Sequence, residues 1–398
     1  MKKIRLTEIE MMLSPKVEFK ASKSLKKQIL GYCTLLMLFA ICMITSCEHY
    51  HSDFYHPDKI IYYPEETVDT VKCKVLNVFD CNIADMICNN DNIIFQITDS
   101  TIFKIYSIAA GKITASFANI GHANNEFETT PKCSYKNSLD KNKLYVVEQN
   151  GLLTKIIDLQ KSIQTKTCIV SNVLKHPNNA CGTFYSTYYT DNGTILYNKD
   201  VSYKDARDNI FDPPTHGIIN NGNNISSNVF PQSIISKQPN NVFNAYANRT
   251  VASPNKKYLA NVFVLSDIIN IYDVENKEDI ALLGSGVNDF AFFQTLNNVD
   301  DILNKTLYYH LAACGSDKYL FVLKTSVPCK EFEQMNRTGD FSGFHQELVM
   351  YDWKNCNVSK AGINHIYPIV MFDYDELSGK LYAIDCKNQL IELNLNIK

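Results

Sequence analysis

Two carboxylates, two cations, an imidazole and a phenol stand at comparable places along this chain. They are Asp85, Asp373, Lys132, Arg249, His310 and Tyr188, each in the segment just ahead of a recurring apolar phrase. Side chains of these types do acid-base work, or hold a charged or hydroxylated ligand, once a fold gathers them from distant positions. The linear sequence offers no ready-made site beside them: it contains no HExxH, no GxSxG, no phosphate loop and no acidic loop of EF-hand form. His49, His51, Asp53 and His56 form a second group. The order His-Tyr-His-Ser-Asp lacks the closed ligand set that zinc requires, so no metal site is expected there, and the sequence names no cofactor.

Cys47 carries chemistry of another kind. It ends the run Leu38-Phe39-Ala40-Ile41-Cys42-Met43-Ile44-Thr45-Ser46-Cys47, apolar until a small residue precedes the thiol. That order resembles the lipobox of bacterial lipoproteins, in which the leader is cut away and the cysteine is acylated. Lys23, Lys26 and Lys27 supply the basic flank, and the apolar stretch 29–44 is shorter than the roughly 20 residues a membrane span needs. The expectation is a signal peptide over residues 1–46, a lipidated flexible tether over 47–70 and a folded domain over 71–398. An uncleaved helical anchor is the alternative. Glu8, Glu10 and Glu18 make the leader long, and translation starting at Met11 or Met12 would shorten it. The address is then the cell envelope, at the outer membrane on its periplasmic or surface face.

The chain has 39 Lys and Arg against 42 Asp and Glu; residues 1–46 hold eight and three of these, leaving 31 against 39 and a net charge of −8. A nucleic-acid partner needs the opposite sign concentrated in a patch and is excluded. Ten cysteines follow Cys47, none with CxxC spacing. Cys88, Cys133 and Cys386 sit in or beside apolar runs, where a thiol serves as a small buried hydrophobe, so buried thiols are favoured over a disulfide framework.

The elements that would position the six polar residues are strands. Short runs of Ile, Val, Tyr and Phe punctuated by Asn, Asp and Gly recur after the leader, and no stretch there sustains a helical period. A polar turn, then an apolar run, then a polar gap and a second apolar run make one phrase, found six times. The first runs centre on positions 94, 144, 195, 258, 319 and 381, stepping by 50, 51, 63, 61 and 62. That period suits four-stranded blades, and six copies predict an all-β six-bladed β-propeller; two β-sandwiches are the alternative. The last copy ends at Lys398 with three strands, so its fourth is expected from residues 71–79, closing the ring by pairing N-terminal and C-terminal strands. Taking the strand before each phrase as innermost turns the six polar residues toward a central channel.

One further phrase, Gly121-His122-Ala123-Asn124-Asn125-Glu126-Phe127, reads as an inter-blade turn whose aromatic plugs the gap between sheets. With the repeats and the lipid signal, it makes the chain resemble the TolB-like six-bladed propeller lipoproteins of Bacteroidota. Many of those carry Gly-x-Gly-Pro-x-Glu-aromatic after the outer strand of the first blade. Gly121, Glu126 and Phe127 match, while Ala123 and Asn124 replace the second glycine and the proline. The resemblance spans roughly residues 70–398 and implies a fold and an envelope location, not an activity.

Residues 198–244 and 325–346 read as long irregular connections, the first as a mobile surface loop. Such loops, with no recognisable acid, base or metal cluster, favour a binding or scaffolding module over an enzyme. Its partners are the membrane through the lipid, and an unidentified envelope protein, peptide or glycan. The alternative is a cation-dependent hydrolase or lyase with its site in the channel, which requires converging carboxylates.

Overall fold

The structure, a computed structural model, describes residues 56–395 except 65–68, 100, 132, 137–139, 149–152, 177–184, 191–192, 200, 209, 213, 221–222, 228–233, 236–238, 287–290 and 297. It is all-β with a propeller-like arrangement. Two strands come first, β1 (Lys59–Tyr62) and β2 (Asp69–Val78), and both join sheets formed much later in the chain. Sheet I is an antiparallel meander of β3 (Ile83–Asn89), β4 (Asn92–Ile97), β5 (Thr101–Ser107) and β6 (Lys112–Asn119). Sheet II repeats it with β7 (Cys133–Lys136), β8 (Lys143–Val147), β9 (Leu153–Asp158) and β10 (Val170–Lys175); helix α1 (Leu159–Thr165) lies between the last two.

Sheet III is formed by β11 (Tyr185–Tyr189), β12 (Ile195–Lys199), β15 (Thr215–Asn220) and β16 (Asn223–Ser227). A small accessory sheet of β13 (Ser202–Asp205), β14 (Ile210–Asp212) and β17 (Ile234–Ile235) branches from it, followed by α2 (Pro239–Ala245). Sheet IV runs through β18 (Asn248–Ala252), β19 (Tyr258–Phe263), β20 (Ile268–Asp273) and β21 (Glu278–Leu283), and β1 adds a parallel fifth strand on β21. These four sheets stand apart as blades. Helices α3 (Ala291–Gln294) and α4 (Val299–Lys305) lead to an eight-stranded ladder with two arms. One arm is β22 (Leu307–Gly315), β23 (Tyr319–Pro328), β24 (Gln346–Asp352) and β25 (Val358–Ile363), with α5 (Cys329–Thr338) between its second and third strands. The other is β26 (Ile369–Asp375), β27 (Lys380–Asp385) and β28 (Gln389–Asn394). Strand β2 joins them: residues 69–71 pair parallel with β25, and residues 72–78 pair antiparallel with β28, setting Cys73 opposite Leu393 and Val75 opposite Ile391.

The six phrase positions, Ile94, Leu144, Ile195, Tyr258, Tyr319 and Leu381, each fall in the second strand of a sheet or arm. Strand alternation explains why these runs are apolar throughout. Ile93 and Phe95 pack toward the β26–β28 arm, whereas Ile94 between them packs toward sheet II. Leu320 and Val322 face sheet IV, and Phe321 and Leu323 face the other arm. Buried clusters likewise join sheet II to sheet III and sheet III to sheet IV. Hairpin ends use one device repeatedly. Asp273 Oδ1 accepts from Glu275 N and Asn276 N at 3.0 Å, and Asp352 Oδ1 accepts from Lys354 N and Asn355 N at 3.0 and 2.9 Å. Lys277 and Cys356 then take left-handed φ values of 58° and 57°, the turn an Asx side chain promotes.

The phrase around Gly121 is the inter-sheet turn expected of it. Phe127 is fully buried, packing with Phe103 and Phe117 of sheet I and Leu144 and Val146 of sheet II. Glu126 Oε2 accepts from Ala123 N at 2.9 Å, and a Cβ on Gly121 would meet that same oxygen at 2.1 Å. Lys155 lies 4.7 Å from the Phe127 ring centroid and ion-pairs with Glu148 at 2.7 Å.

Three expectations need correction. Lys59–Tyr62 lies inside the supposed tether yet is a strand, because its backbone completes the otherwise open edge of β21. The 198–244 stretch holds β13 to β17 and most of α2, with Phe211 and Val242 buried against sheet IV. The 325–346 stretch holds α5, whose Cys329 and Met335 are buried; its low apolar content hid it. The cysteines at 73, 81, 88, 168, 314, 329, 356 and 386 are free thiols. The leader, Cys47, His49, His51 and Asp53 lie outside the described residues. Among those described, no helix is long and apolar enough to cross a membrane.

Candidate functional site

The first strands of sheets I to IV and of both arms, β3, β7, β11, β18, β22 and β26, meet around one cavity of about 180 Å³. Residues separated by almost the whole chain become neighbours there. Of the six sequence candidates, Asp85, Tyr188 and Asp373 line it. Arg249 precedes the lining residue Thr250; it is exposed, and its charge acts on Asp85. Lys132 lies outside the described residues.

His310 is in the expected strand but not in the cavity. Register shifts on either side of it, between Tyr308 and His310 and between His310 and Ala312, break the alternation that would have aimed it inward. Its ring is instead sealed between sheets. A carbonyl can only accept, so Nδ1 donates to Phe263 O at 2.5 Å and Nε2 accepts from Tyr63 Oη at 3.3 Å. Burial, opposed by Asp267 and assisted by Lys324, pulls the imidazole down to about 4 and keeps it neutral. Asp267 pairs with Lys324 and also accepts from Gly286 N at 3.1 Å. This cluster fastens the segment after β1 to sheet IV and to β22.

Sequence reasoning missed the cavity's two lysines. The Lys136 ammonium reaches Asp373 Oδ2 at 2.8 Å, Tyr374 O at 2.5 Å and Cys88 O at 3.3 Å. Asp373 Oδ2 also accepts from Cys88 N at 2.7 Å. Burial disfavours the charge on Lys136, but Asp373 outweighs it, and the net shift is upward. Lys256, on the turn after β18, donates to Lys136 O at 3.0 Å and lies 4.7 Å from the Tyr135 ring centroid and 5.6 Å from that of Tyr188. Tyr188 in turn donates to Thr250 O at 3.0 Å. Sheet II is thus tied to the β26–β28 arm by one lysine and to sheet IV by the other, across the channel.

Asp85 has a different environment. Its Oδ1 accepts from Met86 N at 2.8 Å, and the carboxylate is half-buried. Burial first, then the charge of Asp373, push it up to about 7, against the Met86 and Ser134 amides and Arg249. A carboxyl poised there exchanges a proton near neutral pH and can donate or accept a hydrogen bond. Among the described residues no cluster of three or more His, Cys, Asp or Glu is arranged to hold a metal ion.

Among known proteins, no family model matches the chain. No curated protein matches it either. The fold does have a counterpart. A solved structure of a member of the DUF4221 family from Bacteroides vulgatus is similar with a TM-score of 0.50 and 11% identity, covering 82% of this chain and 97% of that one. At that identity the likeness concerns the fold alone.

Proposed function

We propose that this chain is an exported, lipid-anchored six-bladed propeller of the TolB-like lipoprotein kind, acting as a binding or scaffolding module in the cell envelope. The six blades are sheets I to IV and the two arms, with β2 completing the last blade beside β28. The reading is supported by the succession of buried interfaces, in which the β26–β28 arm packs back on sheet I. The observation that carries the binding role is the cavity where six first strands converge, half polar and half apolar in its lining residues. The partner is an envelope protein, peptide or glycan that presents a group to the channel mouth. Anchoring follows from Cys47 and the run before it.

A cation-dependent hydrolase or lyase remains the second reading, because the cavity does bring two carboxylates together, Asp85 and Asp373. Lys136 already fills the position a cation would take at Asp373, which favours binding. A melting temperature raised by calcium would reverse that order.

Envelope cross-linking of cells carrying the wild-type chain, compared with a Thr250→Trp variant that fills the cavity, tests the binding role. Capture of a discrete partner that the variant loses is the expected result. Capture unchanged by the variant moves the site elsewhere, and no capture refutes the role. The mass of the membrane-extracted form tests the anchor: residues 1–46 absent and acyl chains on Cys47 are expected, and an intact N-terminus refutes it.

A further inference from the structure

The charges lining the central cavity balance, and the surplus cation beside them is Arg249. Lys136 and Lys256 line it against Asp85 and Asp373, and Arg249 stands beside the lining at Thr250, so the sum is one positive charge with both carboxylates ionised and two when one takes a proton. No carboxylate among the described residues ion-pairs with Arg249; Asp85 is the charge that acts on it. Its guanidinium is exposed and presents a planar fork of donors matched to a carboxylate. A cavity of about 180 Å³ has room for roughly six waters, which limits an occupant to one small ring or a short chain. The six strands around the cavity focus the field of these charges.

We infer that the cavity takes a small organic anion of single-sugar size, with Arg249 pairing its carboxylate and Asp85 donating a hydrogen bond to it in its protonated form. This rests on the channel-binding reading above and names the ligand's charge and size. Asp85 faces Arg249 from β18, Asp373 from β26, Lys136 and the Ser134 amide from β7, Tyr188 from β11 and Cys314 from β22, with the Met86 amide on its own strand. Bringing in an anion favours the uncharged form of Asp85, so binding takes up a proton. With that carboxyl up at about 7, affinity rises as pH falls.

Three probes of matched size separate charge from shape: glucuronate, glucose and glucosamine, titrated calorimetrically into the folded protein at pH 6 and pH 8. The expected result is that glucuronate binds best, about tenfold more tightly at pH 6 than at pH 8, because a carboxyl titrating at about 7 has a roughly tenfold larger protonated fraction at pH 6. Arg249→Gln weakens it about tenfold or more at both pH values, and Asp85→Asn removes the pH dependence while keeping binding at pH 8. Arg249 is exposed, so its variant should fold, and an unchanged melting temperature checks this. Equal binding of glucose, tighter binding of glucosamine, tighter binding at pH 8, or silence from all three probes overturns the inference. If envelope capture still depends on the cavity in that case, only the anion assignment fails; if capture is absent too, the binding role fails with it.

Discussion

Removing the ammonium of Lys136 should destabilise the domain from its centre. Lys136 and Asp373 are only 13% and 10% exposed, so Lys136→Met strands a carboxylate that water reaches poorly. Breaking a buried pair from one side typically costs about 3–5 kcal/mol. The lower end applies here, because Cys88 N still donates to Asp373 at 2.7 Å. Unfolding a domain of this size gains on the order of 0.7 kcal/mol/K of entropy at the midpoint, so about 3 kcal/mol lowers the melting temperature by roughly 4 °C. Asp373→Asn alone should cost a similar amount by leaving the lysine buried without its counter-charge. The double variant should recover about half of the summed loss, a coupling of about 3 kcal/mol. Urea unfolding of the four proteins at pH 7.5 measures each value. If both single variants cost under about 1 kcal/mol and are additive, the channel is wet enough to screen the pair, and the account of a dry cross-strap is wrong.

Three other outcomes follow from the packing. Phe127→Ala empties a fully buried site between sheets I and II, and a loss of about 3–5 kcal/mol is expected in the same unfolding assay; a loss below 1 kcal/mol would mean the phrase does not wedge the sheets. A chain beginning at Phe79 lacks β1 and β2 and uncovers the edges of β21, β25 and β28; it should aggregate or melt early, and a synthetic peptide of residues 58–78 added in trans should restore it. His310 sits at about 4 when folded and near 6.5 when unfolded, so its contribution is present above pH 6.5 and is lost as pH falls toward 4. Urea midpoints measured across that window should decline in the wild type and decline less in His310→Asn.

Much of the strand pattern is legible in the sequence because second strands are buried on both faces. Ile93, Ile94 and Phe95 must all be apolar when one side meets sheet II and the other meets the β26–β28 arm, and that continuous run is what recurs. The missing strand after Leu393 is legible for the related reason that an open edge demands a partner. The polar site is harder. Lys136 and Asp373 are 237 residues apart, and no local rule links them. His310 shows the limit most clearly, since its strand is predicted correctly while two local register shifts turn the side chain away. The accessory sheet escapes notice because its strands are two to four residues long, below the length at which alternation can be recognised.

Strand β1 also bears on the anchoring proposed for Cys47, because it fixes where the described domain begins. Between Cys47 and Lys59 there are only eleven residues, a leash of at most about 40 Å even when straight. Strand β1 lies on β21, three strands away from β18, whose Thr250 lines the cavity. Under the anchoring proposed for Cys47, a partner entering the cavity would not have to pass the strand that leads back to the lipid.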